Sequence, residues 1–194
     1  MNNVMLDLET MGTGSRAAIV SIGAVFFDPQ TGELGEAFEV AIDLRSSAKY
    51  GEIDPDTVLW WLRQGEEARK GITEGEQLPL PDALLSLHRW IFTYSCRDVA
   101  MWGNGAGFDN VILNNAYLAT NLPAPWKHWN DRDVRTIVAL GRDLLGFDPK
   151  KDLPFEGVRH CALDDAKHQA RYVSAIYQRL LTAVNGSGMV EGVT

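Results

Sequence analysis

Two carboxylates stand two residues apart, Asp7 and Glu9, inside the apolar segment Met5-Leu6-Asp7-Leu8-Glu9-Thr10. In an extended strand, residues i and i+2 point to the same side, so both side chains are expected on one face of a sheet. Two like charges held so close destabilise a fold unless a cation lies between them. Hard divalent cations such as Mg²⁺ take carboxylate oxygens as ligands, so this segment predicts half of a metal site on a β-strand.

The residues that follow this pair predict a three-stranded antiparallel meander. Residues 17–27 form a β-branched and apolar run, which is typical of a buried strand. A turn cluster at 28–32 separates it from residues 38–44, where apolar and polar side chains alternate. That alternation predicts a third strand paired antiparallel to the second. A short apolar run at 99–102 predicts a further buried strand.

Helix signals dominate the rest of the chain. Asp54 and Pro55 supply an N-cap and a first-turn proline for a helix that contains Trp60 and Trp61. Apolar residues at helical spacing predict further helices from Pro81, from Phe108 to Tyr117, over 134–144, and from about 162 to 184. The order of elements predicts an α/β fold, a mixed β-sheet with an antiparallel meander and parallel strands, flanked by α-helices. We expect one domain over 1–184 and a flexible tail over 185–194.

Three more residues complete a candidate site with Asp7 and Glu9. Asp109 opens a helix after the glycine-rich turn 103–107, and His160 and Asp165 flank the start of the last helix. Four carboxylates and one histidine from distant segments are the residue types used in two-metal phosphodiester hydrolysis. His160 is suited to act as general base because the unperturbed pKa of histidine lies near neutrality. We therefore assign Asp7, Glu9, Asp109 and Asp165 as metal ligands and all five as catalytic residues.

These residues carry a resemblance to the DEDDh exonuclease family. The motifs are Asp7-x-Glu9-Thr10, Phe108-Asp109 and His160-x-Ala162-x-x-Asp165, in which the histidine five residues before the last aspartate is the specific feature. The longer strings AAIVSIGAVFFD and GNGAGFDNVIL resemble the branch that contains exonuclease VIII and RNase AS. The resemblance extends from about Val4 to Leu181. One departure is that Gly105 stands where many relatives have asparagine, and Asn104 lies one residue earlier.

The resemblance implies an RNase H-like fold and a 3′→5′ exonuclease that uses two Mg²⁺ or Mn²⁺ ions. Such an enzyme releases nucleoside 5′-monophosphates from 3′ ends of single-stranded or overhanging RNA or DNA. It also implies that Met11, Gly12 and Thr13 hold the terminal nucleoside, and that the protein is a homodimer. Trp60 and Trp61 are consecutive, so they point roughly 100° apart on a helix. One is expected in the core and the other exposed; we take Trp61 as a candidate for substrate binding.

Two other functions stay open at this point. The same fold serves as a non-catalytic nucleic-acid-binding module, although a degenerate member is expected to lack one of the five residues. A metal-dependent phosphatase of small nucleotides would suit the formal net charge of −8. Asp164 is expected to cap a helix or face solvent, and Cys161 is expected to be a packing residue rather than a nucleophile.

Composition limits the class of protein further. With 18 basic and 26 acidic residues, the chain is a poor candidate for coating long nucleic acid but can accommodate a few terminal nucleotides. No apolar run approaches the roughly 20 residues that span a bilayer, so no membrane partner is expected. The first residues lack the pattern of a signal peptide. Cys96 and Cys161 do not form a disulfide framework, and a cytoplasmic location is predicted.

Overall fold

A six-stranded mixed sheet forms the centre of the protein in a computed structural model, which describes residues 1–95 and 98–187. The strand order is β4-β3-β2-β1-β5-β6. Antiparallel pairing joins β1 to β2 and β2 to β3, whereas the pairs β1–β5, β5–β6 and β3–β4 are parallel. The strands are β1 Asn3–Thr10, β2 Ile19–Phe27, β3 Leu34–Ile42, β4 Gln77–Leu78, β5 Ala100–Gly103 and β6 Asp131–Asp133. The predicted meander and mixed α/β fold are confirmed.

Helices cover both faces of this sheet. The described helices are α1 Leu44–Ser47, α2 Pro55–Trp61, α3 Glu66–Thr73, α4 Leu80–Tyr94, α5 Asp109–Ala119, α6 Val134–Leu145, α7 Pro149–Asp152 and α8 Ala162–Ser187. On one face, Leu6 and Leu8 of β1 lie in a core with residues of α4 and α5. On the other face, Met5 of β1 packs in a second core with α6 and α8. Since Asp7 and Glu9 continue the Met5 side of β1, they face α8.

The start of α8 lies unusually close to the sheet at Gly23 of β2. A Cβ atom at Gly23 would collide with backbone atoms of Ala162 and Leu163. Glycine is therefore required here for a close approach rather than for backbone freedom. Ala166 and Ala170, both fully buried, continue the close packing along α8. This packing brings the first turn of α8 over β1 and its carboxylates.

Some elements differ from the sequence predictions. Leu44, expected at the end of the third strand, begins α1, because Asp43 accepts a hydrogen bond from the Arg45 N–H group and caps a helix there. Three α-helices, α1, α3 and α7, the 3₁₀ helix His128–Asn130, and two strands, β4 and β6, were not predicted. The last helix extends through Ser187, and the rest of the expected tail, 188–194, lies outside the described residues, as does Cys96. No described helix has the length and apolar character needed to cross a membrane.

Candidate active site

The fold brings the five predicted site residues together. Asp7 and Glu9 come from β1, Asp109 is the first residue of α5, and Asp165 lies in the first turns of α8. Asp109, Glu9 and Asp165 all lie close enough to Asp7 for their charges to raise its pKa. Single ligand atoms of Glu9, His160 and Asp165 lie within 4.8 Å of one another. Residues up to 158 positions apart in the sequence, Asp7 and Asp165, thus converge on the α8 side of β1.

Burial and mutual repulsion make these carboxylates hard to ionise without a cation. Burial, followed by the charges of Asp109, Glu9 and Asp165, raises the pKa of Asp7 well above its ordinary value. Burial and the charges of Asp165 and Asp109 raise the pKa of Glu9 to about 8. Burial raises the pKa of Asp109 to about 7, against the opposing effects of the Leu8 N–H group and Arg135, and it also raises that of Asp165. A bound divalent cation would relieve this repulsion, and an all-oxygen set of this kind fits Mg²⁺ or Mn²⁺.

Backbone and amide donors fix the orientation of the carboxylates. The Leu8 N–H group donates to Asp109 Oδ1 at 3.3 Å. The His160 N–H group donates to Asp165 Oδ2 at 2.8 Å, which closes the turn that precedes α8. Gln169, a buried residue of α8, also contacts the cluster. Sequence reasoning missed Gln169, although its position one helical turn after Asp165 places it on the same face.

His160 lies between the carboxylates and an aromatic pair. Its backbone has a φ of 64°, in the left-handed region that is uncommon for a residue other than glycine. The ring centroid lies 5.0 Å from that of Trp60 and 6.4 Å from that of Trp61, in edge-to-face arrangements. Strained backbone of this kind persists where the surrounding contacts hold it, here the helix start and the two indole rings.

A cleft of about 560 Å³ opens beside Glu9. Gly12 and Thr13, for which the resemblance implies a contact with the terminal nucleoside, line it, and so do Trp60, Trp61 and Phe108. As expected for consecutive residues of a helix, one tryptophan is buried and the other is exposed. Trp61 is 4% exposed and donates through Nε1 to the Thr10 carbonyl, whereas Trp60 is 41% exposed. Trp60 is therefore the ring with a free surface for stacking.

Met11 does not line the cleft, in contrast to the predicted substrate contact. Its side chain is buried in a hydrophobic cluster with Val20, Trp61 and Ile72, because β1 ends at Thr10 and the chain turns inward. The Met11 N–H group donates a hydrogen bond to the Ala18 carbonyl, and the Met11 carbonyl accepts one from the Asp54 N–H group. Met11 thus packs against Trp61, which lines the cleft, and is not itself a lining residue.

The neighbouring polar residues have structural roles. Asp164 accepts a hydrogen bond from the Val158 N–H group at 2.9 Å, which ties the preceding loop to α8. Burial raises the pKa of the Cys161 thiol to about 11, so it is protonated and unsuited to nucleophilic attack near neutral pH. Asn104 has a buried Oδ1 atom that meets no partner among the described residues. Between α5 and β6, Trp126 is buried and Trp129 is 64% exposed.

Comparisons with known proteins identify relatives of this arrangement. A family model described as the 3′-5′ exoribonuclease Rv2179c-like domain matches residues 2–177. An exodeoxyribonuclease of Enterobacteria phage T4 is 29% identical over 210 residues, which cover 91% of this chain and 92% of that protein.

Solved structures share the fold at low sequence identity. The nuclease domain of 3′hExo, a DEDDh family member bound to rAMP, has a TM-score of 0.59 at 13% identity and covers 93% of this chain and 92% of its own. E. coli Exonuclease I in complex with a dT13 oligonucleotide has a TM-score of 0.68 at 16% identity, with coverage of 95% and 42%. S. pombe Pop2p in its Mg²⁺- and Mn²⁺-bound form has a TM-score of 0.61 at 15% identity, with coverage of 93% and 84%. The expected RNase H-like fold is confirmed.

Proposed function

Because the chain belongs to the family of Rv2179c-like 3′-5′ exoribonuclease domains, we propose that it is a metal-dependent 3′→5′ exonuclease. In this proposal it removes nucleoside 5′-monophosphates from single-stranded or overhanging 3′ ends. One observation carries it: four carboxylates and His160 converge beside a cleft of nucleoside size. The family model is named for RNA and the phage relative for DNA, so we include both nucleic acids as substrates.

Asp7, Glu9, Asp109 and Asp165 would hold two Mg²⁺ or Mn²⁺ ions. When bound, such ions polarise the phosphodiester and lower the pKa of water. The protein supplies the carboxylates in a fixed arrangement, since Asp109 and Asp165 are each oriented by a backbone N–H group. Fixed ligands reduce the reorganisation that accompanies the reaction.

His160 would act as the general base. One of its ring nitrogens lies within 4.8 Å of carboxylate oxygens of both Glu9 and Asp165, so a water molecule beside these groups is within its reach. The edges and faces of Trp60 and Trp61 restrict the ring on its other side. The water oxygen would form a bond to phosphorus as the P–O3′ bond breaks, and the water proton would pass to the imidazole and then to solvent. The departing 3′ oxygen of the shortened strand would take a proton from solvent.

The cleft would receive the terminal nucleoside. Gly12 and Thr13 form one side, and the exposed face of Trp60 offers a surface on which any base can stack. Stacking of this kind tolerates every base, which fits an enzyme that degrades a strand regardless of its sequence. Phe108, next to Asp109, also lines the cleft.

A time course on matched strands tests the proposal. Single-stranded RNA, single-stranded DNA and a duplex with a 3′ overhang, each labelled at either end, are incubated with Mg²⁺ or Mn²⁺. We expect a 3′ label to appear at once as a mononucleotide and a 5′ label to give a ladder of single-nucleotide steps. Release of 3′-labelled fragments longer than one nucleotide would contradict an exonuclease.

Variants of the site test the roles assigned to its residues. D165N and E9Q are expected to lose activity by at least roughly 100-fold, and H160A by about 100- to 10,000-fold. D143N, a change in an exposed carboxylate of α6, serves as the matched control. Wild-type rates for both D165N and E9Q would exclude the assigned site.

A further inference from the structure

Three basic side chains lie along one side of the candidate active site. They are Arg135 at the start of α6, Lys150 in α7 and Arg159 in the loop before α8, and together we call them the basic rim. Burial is the largest effect on the pKa of Asp109 and of Asp165, and it raises both. The positive charge of Arg135 lowers the pKa of Asp109, and that of Arg159 lowers the pKa of Asp165. None of the three residues lines the cleft that holds Trp60. The rim and the cleft therefore border the carboxylates as separate surfaces.

Arg135 is placed in the rim by the absence of a side chain at Gly105. Gly105 has a φ of 112°, and a Cβ atom there would lie 3.1 Å from Arg135 Cζ and 3.3 Å from Nε and Nη2. The guanidinium thus lies directly over the turn that presents Asp109. No carboxylate of the described residues lies within 4.0 Å of it, whereas Arg142, Lys151 and Arg171 each form such an ion pair. The forked donors of Arg135 are left available to an anion.

Lys150 and Arg159 each contact an aromatic ring, and neither lies within 4.0 Å of a carboxylate of the described residues. Lys150 Nζ lies 5.7 Å from the Tyr172 ring centroid, and Arg159 Cζ lies 4.9 Å from that of Phe155. Contacts with a ring face fix the side chain without using its hydrogen-bond donors. Burial, and after it the charges of Arg135 and Arg142, lowers the pKa of Lys150. Cations held this close to one another are stabilised by a bound anion.

We propose that the basic rim binds the phosphodiester backbone of the strand on the 5′ side of the scissile bond. The proposal rests on the proposed exonuclease function and adds that the protein binds the upstream strand as well as the terminal nucleotide. Phosphates are matched by unpaired guanidinium and ammonium groups, and contacts to phosphate alone carry no base preference. A strand whose terminal nucleoside fills the cleft then passes the carboxylates and continues over Arg135, Lys150 and Arg159. The rim also gives a locally positive track on a chain whose net charge is −8.

The test compares a strand with a substrate that has no upstream phosphate. Oligonucleotide trimming is measured alongside hydrolysis of the p-nitrophenyl ester of thymidine 5′-monophosphate, for wild type and for R135Q, K150Q, R159Q and the triple variant. R132Q is the matched control, because Arg132 is exposed and its guanidinium donates to the carbonyls of Trp129 and Asp131. Circular dichroism and thermal unfolding verify that each variant is folded.

We expect each rim substitution to raise KM for the oligonucleotide roughly tenfold at low salt and to reduce the salt dependence of binding by about one phosphate contact. The rate on the ester should equal that of wild type, and R132Q should match wild type on both substrates. An unchanged oligonucleotide KM in the triple variant would overturn the proposal. So would an equal loss on the ester, because it would mean that Arg135 acts through Asp109. Failure of the exonuclease function is a different result, since wild type itself would then release no mononucleotide.

Discussion

Gln169 Nε2 donates a hydrogen bond of 2.7 Å to Asp7 Oδ1, joining α8 to the central strand at the candidate active site. Gln169 is 4% exposed, and its Oε1 atom meets no partner among the described residues. Asp7 is therefore the contact that gives this buried amide a defined orientation. The same contact holds one Asp7 oxygen in place and leaves the other free for a cation.

Replacing Gln169 by leucine tests this positioning role. Q169L keeps much of the volume but removes the donor, so Asp7 is free to rotate. Residues that orient a metal ligand typically affect metal affinity or activity by about 10- to 100-fold, and we expect a loss in that range for both. Mg²⁺ affinity is measured by calorimetry and kcat by oligonucleotide trimming. Q178L, on an exposed part of α8, is the control; wild-type Mg²⁺ affinity in Q169L would exclude the role.

The raised pKa of Glu9 predicts a pH-dependent stability in metal-free protein. Burial and the charges of Asp165 and Asp109 raise this pKa to about 8, so the folded state holds a proton that the unfolded state releases above about pH 4. The resulting stability is complete below the unfolded pKa and is lost as pH rises toward 8. Protons also compete with cations, so Mg²⁺ should stabilise the protein more at pH 8 than at pH 6.

Comparison with E9Q isolates this effect from other titrating groups. His168, whose pKa is lowered mainly by burial, has the opposite pH dependence below about pH 6.5 but is present in both proteins. We expect Tm of E9Q to exceed that of wild type increasingly as pH rises from about 5 to 8, with no metal present. Parallel Tm curves for the two proteins would contradict the raised pKa.

The absence of a side chain at Gly23 allows the first turn of α8 to lie close to the sheet, where it contributes to the site. In G23A, the added methyl group meets the backbone of Ala162 and Leu163, which cannot move without displacing the first turn of α8. We expect a loss of about 1–3 kcal/mol in the free energy of unfolding and a larger relative loss of activity, because His160 and Asp165 move with that turn. Urea unfolding and kcat provide the two measurements. G14A, where the methyl group would meet no atom within 4 Å, should behave as wild type.

Local patterns in the sequence predict the elements that carry the site. The alternation around Asp7 and Glu9 predicts β1, and the spacing of His160 and Asp165 predicts the start of α8, because both patterns reflect which face of an element is buried. Strand β6 is different. Asp131–Asp133 is short and charged, and its place in the sheet depends on distant partners: Asn110 Nδ2 and Trp126 Nε1 both donate to Asp131 Oδ1. No periodicity along the chain indicates such contacts.

The same reason explains which site residues were missed. Gln169 and Arg135 are single polar residues in helices, and only the packing of α8 and α6 against the sheet brings them near Asp7 and Asp109. The two tryptophans show a related limit. Helical geometry predicts that Trp60 and Trp61 point in different directions, but the direction of the core depends on how α2 is attached to β1. The hydrogen bond from Trp61 Nε1 to the Thr10 carbonyl attaches α2 to β1 with Trp61 on the buried side.

Trp60 and Trp61 should therefore differ in what their removal changes. Trp60 is 41% exposed beside the cleft, and loss of a stacking ring typically costs about 1–3 kcal/mol of binding, or roughly tenfold or more in KM. We expect W60A to show this increase in KM for an oligonucleotide with thermal stability close to that of wild type. Trp61 is 4% exposed, and W61A should lose about 3–5 kcal/mol in the free energy of unfolding.

A third tryptophan supplies the control for this comparison. Trp129 is 64% exposed but does not line the cleft, so W129A should leave both KM and Tm unchanged. W60F retains an aromatic face and is expected to recover part of the lost affinity, since stacking depends on the ring surface rather than on the indole N–H group. A KM for W60A equal to that of W129A would mean that the terminal base does not stack on Trp60.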